Sequence, residues 1–191
     1  SICDMVHPTI GILTAINEQH LSLFGSMKNI QSAKYELLRS IPKSGLAIAN
    51  ADNDYCREFL SELGAHVATF GSRNEKDVNF FISSITQDSK GTGIQARIHF
   101  LDYSLQEDYM IPVPGVHNSM NLAPCILTAL HLGMDTQTIQ DRLPSISLPE
   151  GTLHIYEHNQ LTIIDDSYNS NPQGFLAALK VLSTSVATTA S

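Results

Sequence analysis

The chain is 191 residues long, 42% hydrophobic and 16% charged, with a formal net charge of −8, which is room for one good core or for a domain plus part of another. The acidic balance, with no basic stripe, argues against a nucleic-acid footprint; no run approaches the roughly 18 apolar residues of a membrane-spanning helix, and no secretory leader pattern opens the chain. Three widely spaced cysteines, Cys3, Cys56 and Cys125, lack CxxC spacing and read as reduced thiols of a cytoplasmic protein.

The chain opens at Ser1 rather than Met, and its first residues read as the interior of a longer protein. Residues 9–16 are a short apolar run rich in β-branched side chains, the pattern of a buried strand. Ile30, Ala33, Leu37 and Leu38 share one helical face, which predicts a helix over residues 29–40 stopped by Pro42 and Gly45. Residues 46–49 read as a second buried strand, followed by a polar turn over 50–54. A helix over 55–63 with Gly64 as its C-cap, and a strand over 66–70, complete a β-α-β-α-β order. That order predicts a parallel sheet with helices on its faces.

From 79 to 111 the pattern changes to alternating strands interrupted at residues 89–93, an antiparallel extension. Pro114-Gly115 precedes a predicted helix over 118–132, and a second helix over 136–143 ends at Pro144. The breaker-rich stretch 144–151 marks a domain boundary. Beyond it, residues 153–156 and 161–164 predict a hairpin, and 174–182 a helix. The Ser/Thr/Ala-rich residues 183–191 read as a frayed, low-complexity tail.

Polar residues gather where strands should end, and in open α/β sheets that edge is where ligands bind. The first group is Thr14-Ala-Ile-Asn-Glu-Gln-His20 together with Lys34 on the following helix. On spacing alone His20 is an ordinary loop histidine or a metal or phosphate ligand. Lys34 is a snorkelling lysine or part of the same site. The second group is His117-Asn-Ser-Met-Asn121. Asn118 fits an N-cap, because its side-chain oxygen can accept from the free amides of a first helical turn. Asn121, three residues on, lies beyond what capping explains, and a pair of amides can read a purine edge or a phosphate. The third is Asp165-Asp166-Ser-Tyr-Asn169 with Asn171. A carboxylate there serves a ribose or a metal-bound water, or else only an Asx turn into the next helix. Asn50-Ala-Asp-Asn-Asp54 lacks the Gly and Glu of a calcium loop and reads as a turn.

Taken in order, these motifs resemble the Mur ligase family, and within it the branch that adds D-Ala-D-Ala. The residues that carry the likeness are His7-Pro-Thr-Ile-Gly-Ile-Leu-Thr-Ala-Ile-Asn-Glu-Gln-His20, Ala33-Lys34-Tyr-Glu-Leu37, Pro114-Gly-Val-His-Asn-Ser-Met-Asn121 and Ile164-Asp-Asp-Ser-Tyr-Asn-Ser-Asn-Pro172. The resemblance implies an α/β fold: the later part of a parallel-sheet, nucleotide-binding central domain (residues 1–147), then the start of a Rossmann-like C-terminal domain (148–182) and a tail (183–191). It implies ATP and Mg2+ as cofactors, with UDP-N-acetylmuramoyl-tripeptide and D-Ala-D-Ala as substrates in peptidoglycan precursor synthesis. A cytoplasmic monomer without nucleic-acid or membrane partners is expected.

Residue by residue, His20 matches a histidine that helps hold magnesium, and Lys34 a lysine that becomes carbamylated and then binds that metal. Asn118 and Asn121 match the adenine and phosphate region, and Asp166 an aspartate that contacts the ribose. Ser167, Tyr168, Asn169 and Asn171 match a loop that closes over the reaction centre. The pattern departs from the family at Thr152, where an arginine contacting ATP phosphates is usual. No G-x-x-x-x-G-K-[ST] loop occurs; Ser89-Lys-Gly-Thr-Gly93 places its lysine before the glycines. The chain alone is therefore expected to be inactive.

Overall fold

A computed structural model of the chain describes residues 2–18, 21–88, 91–159, 161–168 and 172–189. A short helix α1 (Ile2–Val6) precedes β1 (Ile10–Leu13); α2 (Leu21–Phe24) and α3 (Met27–Ser40) then lead to β2 (Leu46–Asn50). Helix α4 (Asp54–Arg57) and a 3-10 turn (Leu60–Glu62) lead to β3 (His66–Gly71), and a second 3-10 turn (Glu75–Asp77) to β4 (Phe80–Asp88). Then come β5 (Gly91–Phe100), β6 (Tyr103–Ile111), α5 (Val116–His131), α6 (Thr136–Arg142), a 3-10 turn (Leu143–Ser145), the hairpin strands β7 (His154–His158) and β8 (Leu161–Asp165), and α7 (Pro172–Thr189). None of the described helices is long and apolar enough to cross a membrane.

Six strands form one sheet in the order β1-β2-β3-β4-β5-β6, and β7-β8 form a second. Strands β1, β2 and β3 are parallel, with Leu13 opposite Ala49 and Asn50 opposite Phe70. Leu46, Ala47, Ile48 and Ala49 are all buried, as expected for a central parallel strand covered on both faces. Strand β4 is parallel to β3 over two residue pairs, Phe70 with Phe80 and Gly71 with Phe81. It starts level with the end of β3, so no long crossover is needed. The expected antiparallel extension follows: Ser84 Oγ donates to Gln95 at 3.0 Å, while the amide of His99 donates to Asn79. A two-residue link, Leu101-Asp102, then joins β5 to β6. Burial alternates along β6, the mark of a sheet face open to water.

The described residues form two compact units, one drawn from Ser1–Ser83, Ala96–Glu107 and Met120–Met134, the other from Ser84–Gln95, Asp108–Ser119 and Asp135–Ser191. In the first, Leu13, Ile16, Ile30, Tyr35, Leu38, Ala47 and Cys56 form one buried cluster, with Phe24, Met27, Phe59 and Leu60 packed against it. In the second, Ile94, Tyr109, Ile111, Val113, Ile139 and Leu143 are buried.

Three sequence expectations need correction. The predicted helix over 55–63 is broken after Arg57. The Phe59 amide, which would bond the Tyr55 carbonyl in a continuous helix, instead donates to Tyr35 Oη at 3.4 Å, and Gln31 Nε2 donates to that carbonyl at 2.9 Å. Leu63, not Gly64, closes the 3-10 turn that follows. Asn118 does not cap α5 but lies inside it: the helix starts at Val116, and Asn118 donates through Nδ2 to the Pro114 carbonyl. Residues 183–189 continue the helix begun at Pro172 rather than fraying.

Candidate functional site

At the carboxyl end of β1, the chain leaves the sheet through Thr14–Asn17. Parallel register sets Thr14 beside Asn50, whose Nδ2 donates to the Thr14 carbonyl at 2.9 Å. Asn53 Nδ2 donates to the Ile16 carbonyl at 3.1 Å, and its Oδ1 caps α4 by accepting from the Cys56 amide at 3.1 Å. Ile16 is itself 2% exposed, so the segment is anchored on both its apolar and its polar side. His20 and Gln19 lie outside the described residues.

Helix α3 starts where Ser26 Oγ accepts from the Asn29 amide at 3.2 Å. It presents Ile30, Tyr35 and Leu38 to the core and leaves Lys34 half-buried. One turn earlier, buried Gln31 also donates to Glu58 Oε2 at 2.8 Å. Burial pushes the Cys56 thiol up to about 12, against a hydrogen bond from Ile16 and the nearby positive charge of Lys34. Cys56 and Ile16 thus meet below the end of β1, with the charge of Lys34 acting on the thiol from α3. A shallow depression lined by Asn29, Ser32, Ala33, Glu36 and Arg39 runs along another face of α3, and Lys34 does not line it.

In the second unit, Gly115 holds φ +103 and lets the His117 ring settle onto it; a Cβ there would lie 2.6 Å from Cε1. Desolvation holds the His117 imidazole below its ordinary value, opposed by the negative charge of Asp166. The sequence reading gave His117 no role, although its place two residues after Pro-Gly and beside Asn118 was visible. Asn118 is buried and its amide group serves the Pro114 carbonyl. Asn121, one turn further along α5, is exposed, and its backbone carbonyl accepts from Cys125 Sγ at 3.3 Å.

Strand β8 ends in two carboxylates with different partners. Asp165 Oδ1 accepts from the Ser167 amide at 3.0 Å, an Asx turn; hydrogen bonds from the hydroxyl and amide of Ser167 hold its carboxyl below the usual range. Asp166 Oδ1 instead accepts from the Leu153 amide at 3.1 Å, and Leu153 sits at φ 45. The Tyr168 amide donates to the Gly151 carbonyl at 3.0 Å, so the turn 151–153 and the end of β8 are tied at two points. Thr152 is half-buried within that tie. Ser167 and Tyr168 are exposed, while Asn169 and Asn171 lie outside the described residues. Among the described residues no three His, Cys, Asp or Glu side chains form a metal-binding group.

The first three strands of the larger sheet are parallel and carry amide side chains at their carboxyl edge, where open α/β sheets bind ligands. The chain belongs to the Mur ligase family: residues 1–129 match the Mur ligase middle domain. The UDP-N-acetylmuramoyl-tripeptide–D-alanyl-D-alanine ligase of Escherichia coli is 29% identical to it over 185 residues, 93% of this chain and 39% of that protein. The enzyme of the same name from Synechocystis is 31% identical over 183 residues, 95% of this chain and 37% of that protein. The crystal structure of MurF from Acinetobacter baumannii superposes with a TM-score of 0.82 at 27% identity, covering 94% of this chain and 38% of that one. The chain therefore spans a little under two fifths of the length of the relatives it matches.

Proposed function

We propose that this chain supplies the later part of the ATP-binding domain and the start of the C-terminal domain of an amide ligase that adds D-Ala-D-Ala to UDP-N-acetylmuramoyl-tripeptide. Its likeness to enzymes of that name along 93–95% of its length carries the reading. The domains divide between residues 147 and 148. The place of action is the cytoplasm, with the protein a monomer.

In the proposed reaction an oxygen of the tripeptide carboxylate attacks the γ-phosphorus of ATP, giving an acyl-phosphate and ADP. The D-Ala-D-Ala amine then attacks the acyl carbon; a C–N bond forms, the C–O bond to phosphate breaks, and the amine proton is lost to solvent. The protein's task in such a transfer is to position the reactants and compensate charge. Lys34, once carbamylated, and His20 would form a two-ligand, oxygen-and-nitrogen set of the size magnesium accepts alongside phosphate oxygens and water. When bound, the ion lends positive charge to the transferring phosphoryl group.

The half-buried setting of Lys34 on α3 supports its part in that set. Asp166, oriented by the Leu153 amide, would present its carboxylate to the ribose hydroxyls. Asn121, exposed on α5, is the better of the two asparagines for the adenine, since Asn118 is engaged with Pro114. Ser167, Tyr168, Asn169 and Asn171 would belong to the closing loop, which keeps water from the acyl-phosphate.

An amine panel on the full-length protein tests this: phosphate release with ATP and the tripeptide substrate should require D-Ala-D-Ala, and L-Ala or L-Glu should not replace it. Release driven by L-Ala instead would move the chain to another branch of the family. Thr152, standing where the resemblance expects arginine, favours a second reading, a non-catalytic nucleotide-binding module. Activity that appears only in Thr152→Arg would favour that reading; robust activity beforehand would end it.

A further inference from the structure

The turn Asn50–Asn53 has no part in the reaction proposed above, yet it binds the chain at three places. Asn50 Nδ2 donates to the Thr14 carbonyl at 2.9 Å while its Oδ1 accepts from the Asp52 amide at 2.8 Å. Asn53 Nδ2 donates to the Ile16 carbonyl at 3.1 Å while its Oδ1 accepts from the Cys56 amide. Asp52 accepts from the Ser72 amide at 2.7 Å, from Ser72 Oγ at 2.9 Å and from the Arg73 amide at 3.1 Å. One turn at the end of β2 thus gathers the exits of β1 and β3.

A simple connecting turn would need only its own internal bonds, and the Asp52–Asn50 bond supplies one of them. The two Nδ2 donors go elsewhere, to carbonyls that have left the sheet and have no strand partner. Both carbonyls belong to the segment that runs into Asn17–His20.

We propose that Asn50 and Asn53 are positioning residues: they fix the course of Thr14–Ile16 at the end of β1. This inference rests on the reading that the β1 edge belongs to the reaction site. Each asparagine uses its oxygen to stabilise its own turn and its amide to hold the β1 exit. The two roles can therefore be separated by substitution. Asn53→Asp keeps an oxygen for the Cys56 amide but turns an acceptor toward the Ile16 carbonyl. Asn53→Ser keeps a good cap while its short hydroxyl does not replace the donor.

The test uses the full-length protein, read by amide hydrogen exchange, thermal melting and steady-state kinetics. In both variants, exchange of the amides of residues 14–18 should accelerate about tenfold, the loss of one such hydrogen bond. Melting temperature should fall by no more than about 3–6 °C, the cost of that one hydrogen bond with the cap kept. The kcat should fall about tenfold or more with KM for D-Ala-D-Ala little changed, the mark of lost alignment rather than lost binding. Wild-type exchange over residues 14–18 in both variants would overturn the proposal, as would faster exchange with unchanged kcat. An unsubstituted protein without D-Ala-D-Ala-dependent phosphate release would sink the ligase reading and this role with it. The exchange data would still show whether the asparagines hold the segment, so the two failures are distinguishable.

Discussion

Tyr35 ties the helix that carries Lys34 to the broken helix across from it. Its side chain is fully buried, its hydroxyl donates to the Cys56 carbonyl, and the same oxygen accepts from the Phe59 amide at 3.4 Å. Replacing it with phenylalanine leaves the ring in place, so the edge-on contact with Phe59 at 5.4 Å and the stacking of Arg39 at 5.6 Å persist. What is lost is one oxygen, and a buried carbonyl and amide lose their partner. Such a loss costs roughly 1–3 kcal/mol. For a chain of this size about 2 kcal/mol corresponds to a melting temperature some 4–8 °C lower.

Urea unfolding of Tyr35→Phe should show a lower midpoint with an unchanged slope, because the buried area is the same. Burial, the largest cause, raises the Tyr35 phenol above its ordinary 10.0 in the folded protein. A group with a raised folded pKa contributes stability that is intact below its unfolded value and is lost as pH climbs through the folded one. The gap between wild type and variant should therefore narrow above about pH 10. A midpoint equal to that of wild type at pH 7 would refute the assignment of this hydroxyl as the pin between α3 and α4.

Three further outcomes follow from local geometry. Cys56 is fully buried and burial pushes its thiol up to about 12, so a thiol reagent should reach it only on unfolding, while exposed Cys125 reacts in the native protein even though desolvation raises its thiol too; native labelling of Cys56 at the Cys125 rate would contradict its burial. Gly45→Ala would set a Cβ 2.3 Å from the Thr9 carbonyl oxygen and 2.6 Å from Ile41, and should cost about 1–3 kcal/mol. Gly133→Ala meets nothing within 4 Å and should cost about 1 kcal/mol, for its φ of +81 alone, a ranking that circular-dichroism melts can check. The Thr138 hydroxyl and amide hold the Asp135 carboxyl below its ordinary value, so its contribution is present above the usual carboxylate range and fades as pH falls through the depressed value. Asp135→Ser keeps a cap without the charge and should lose less melting temperature than wild type between pH 7 and pH 2.

The parallel sheet was legible because β2 is buried on both faces and reads as an unbroken apolar run, Leu46-Ala-Ile-Ala49. The antiparallel strands were legible from the alternation in β6. The break after Arg57 was not, because its cause lies far away in sequence: Gln31 and Tyr35 take over the partners that a continuous helix would have used. Asn118 was misread for a related reason. A helix-opening asparagine usually caps through its oxygen, but here Gly115 lets the helix begin two residues after Pro114 and turns the amide back onto that proline's carbonyl. Of the candidate site, Lys34 stands out only through the family resemblance, since its spacing alone reads as a snorkelling lysine, while Asp166 stands out by its place after an apolar run. Asn50 and Asn53 were passed over as a turn, since only the parallel register shows that they face Thr14 and Ile16.

Activation of a carboxylate as an acyl-phosphate before the amine attacks leaves an isotopic trace. With 18O in the terminal carboxylate of the UDP-N-acetylmuramoyl-tripeptide, the full-length protein should release phosphate carrying one 18O atom for each amide bond formed, read by mass spectrometry. Phosphate free of the label, with product formed, would contradict an acyl-phosphate and with it the roles assigned to Lys34, Asn121 and Asp166.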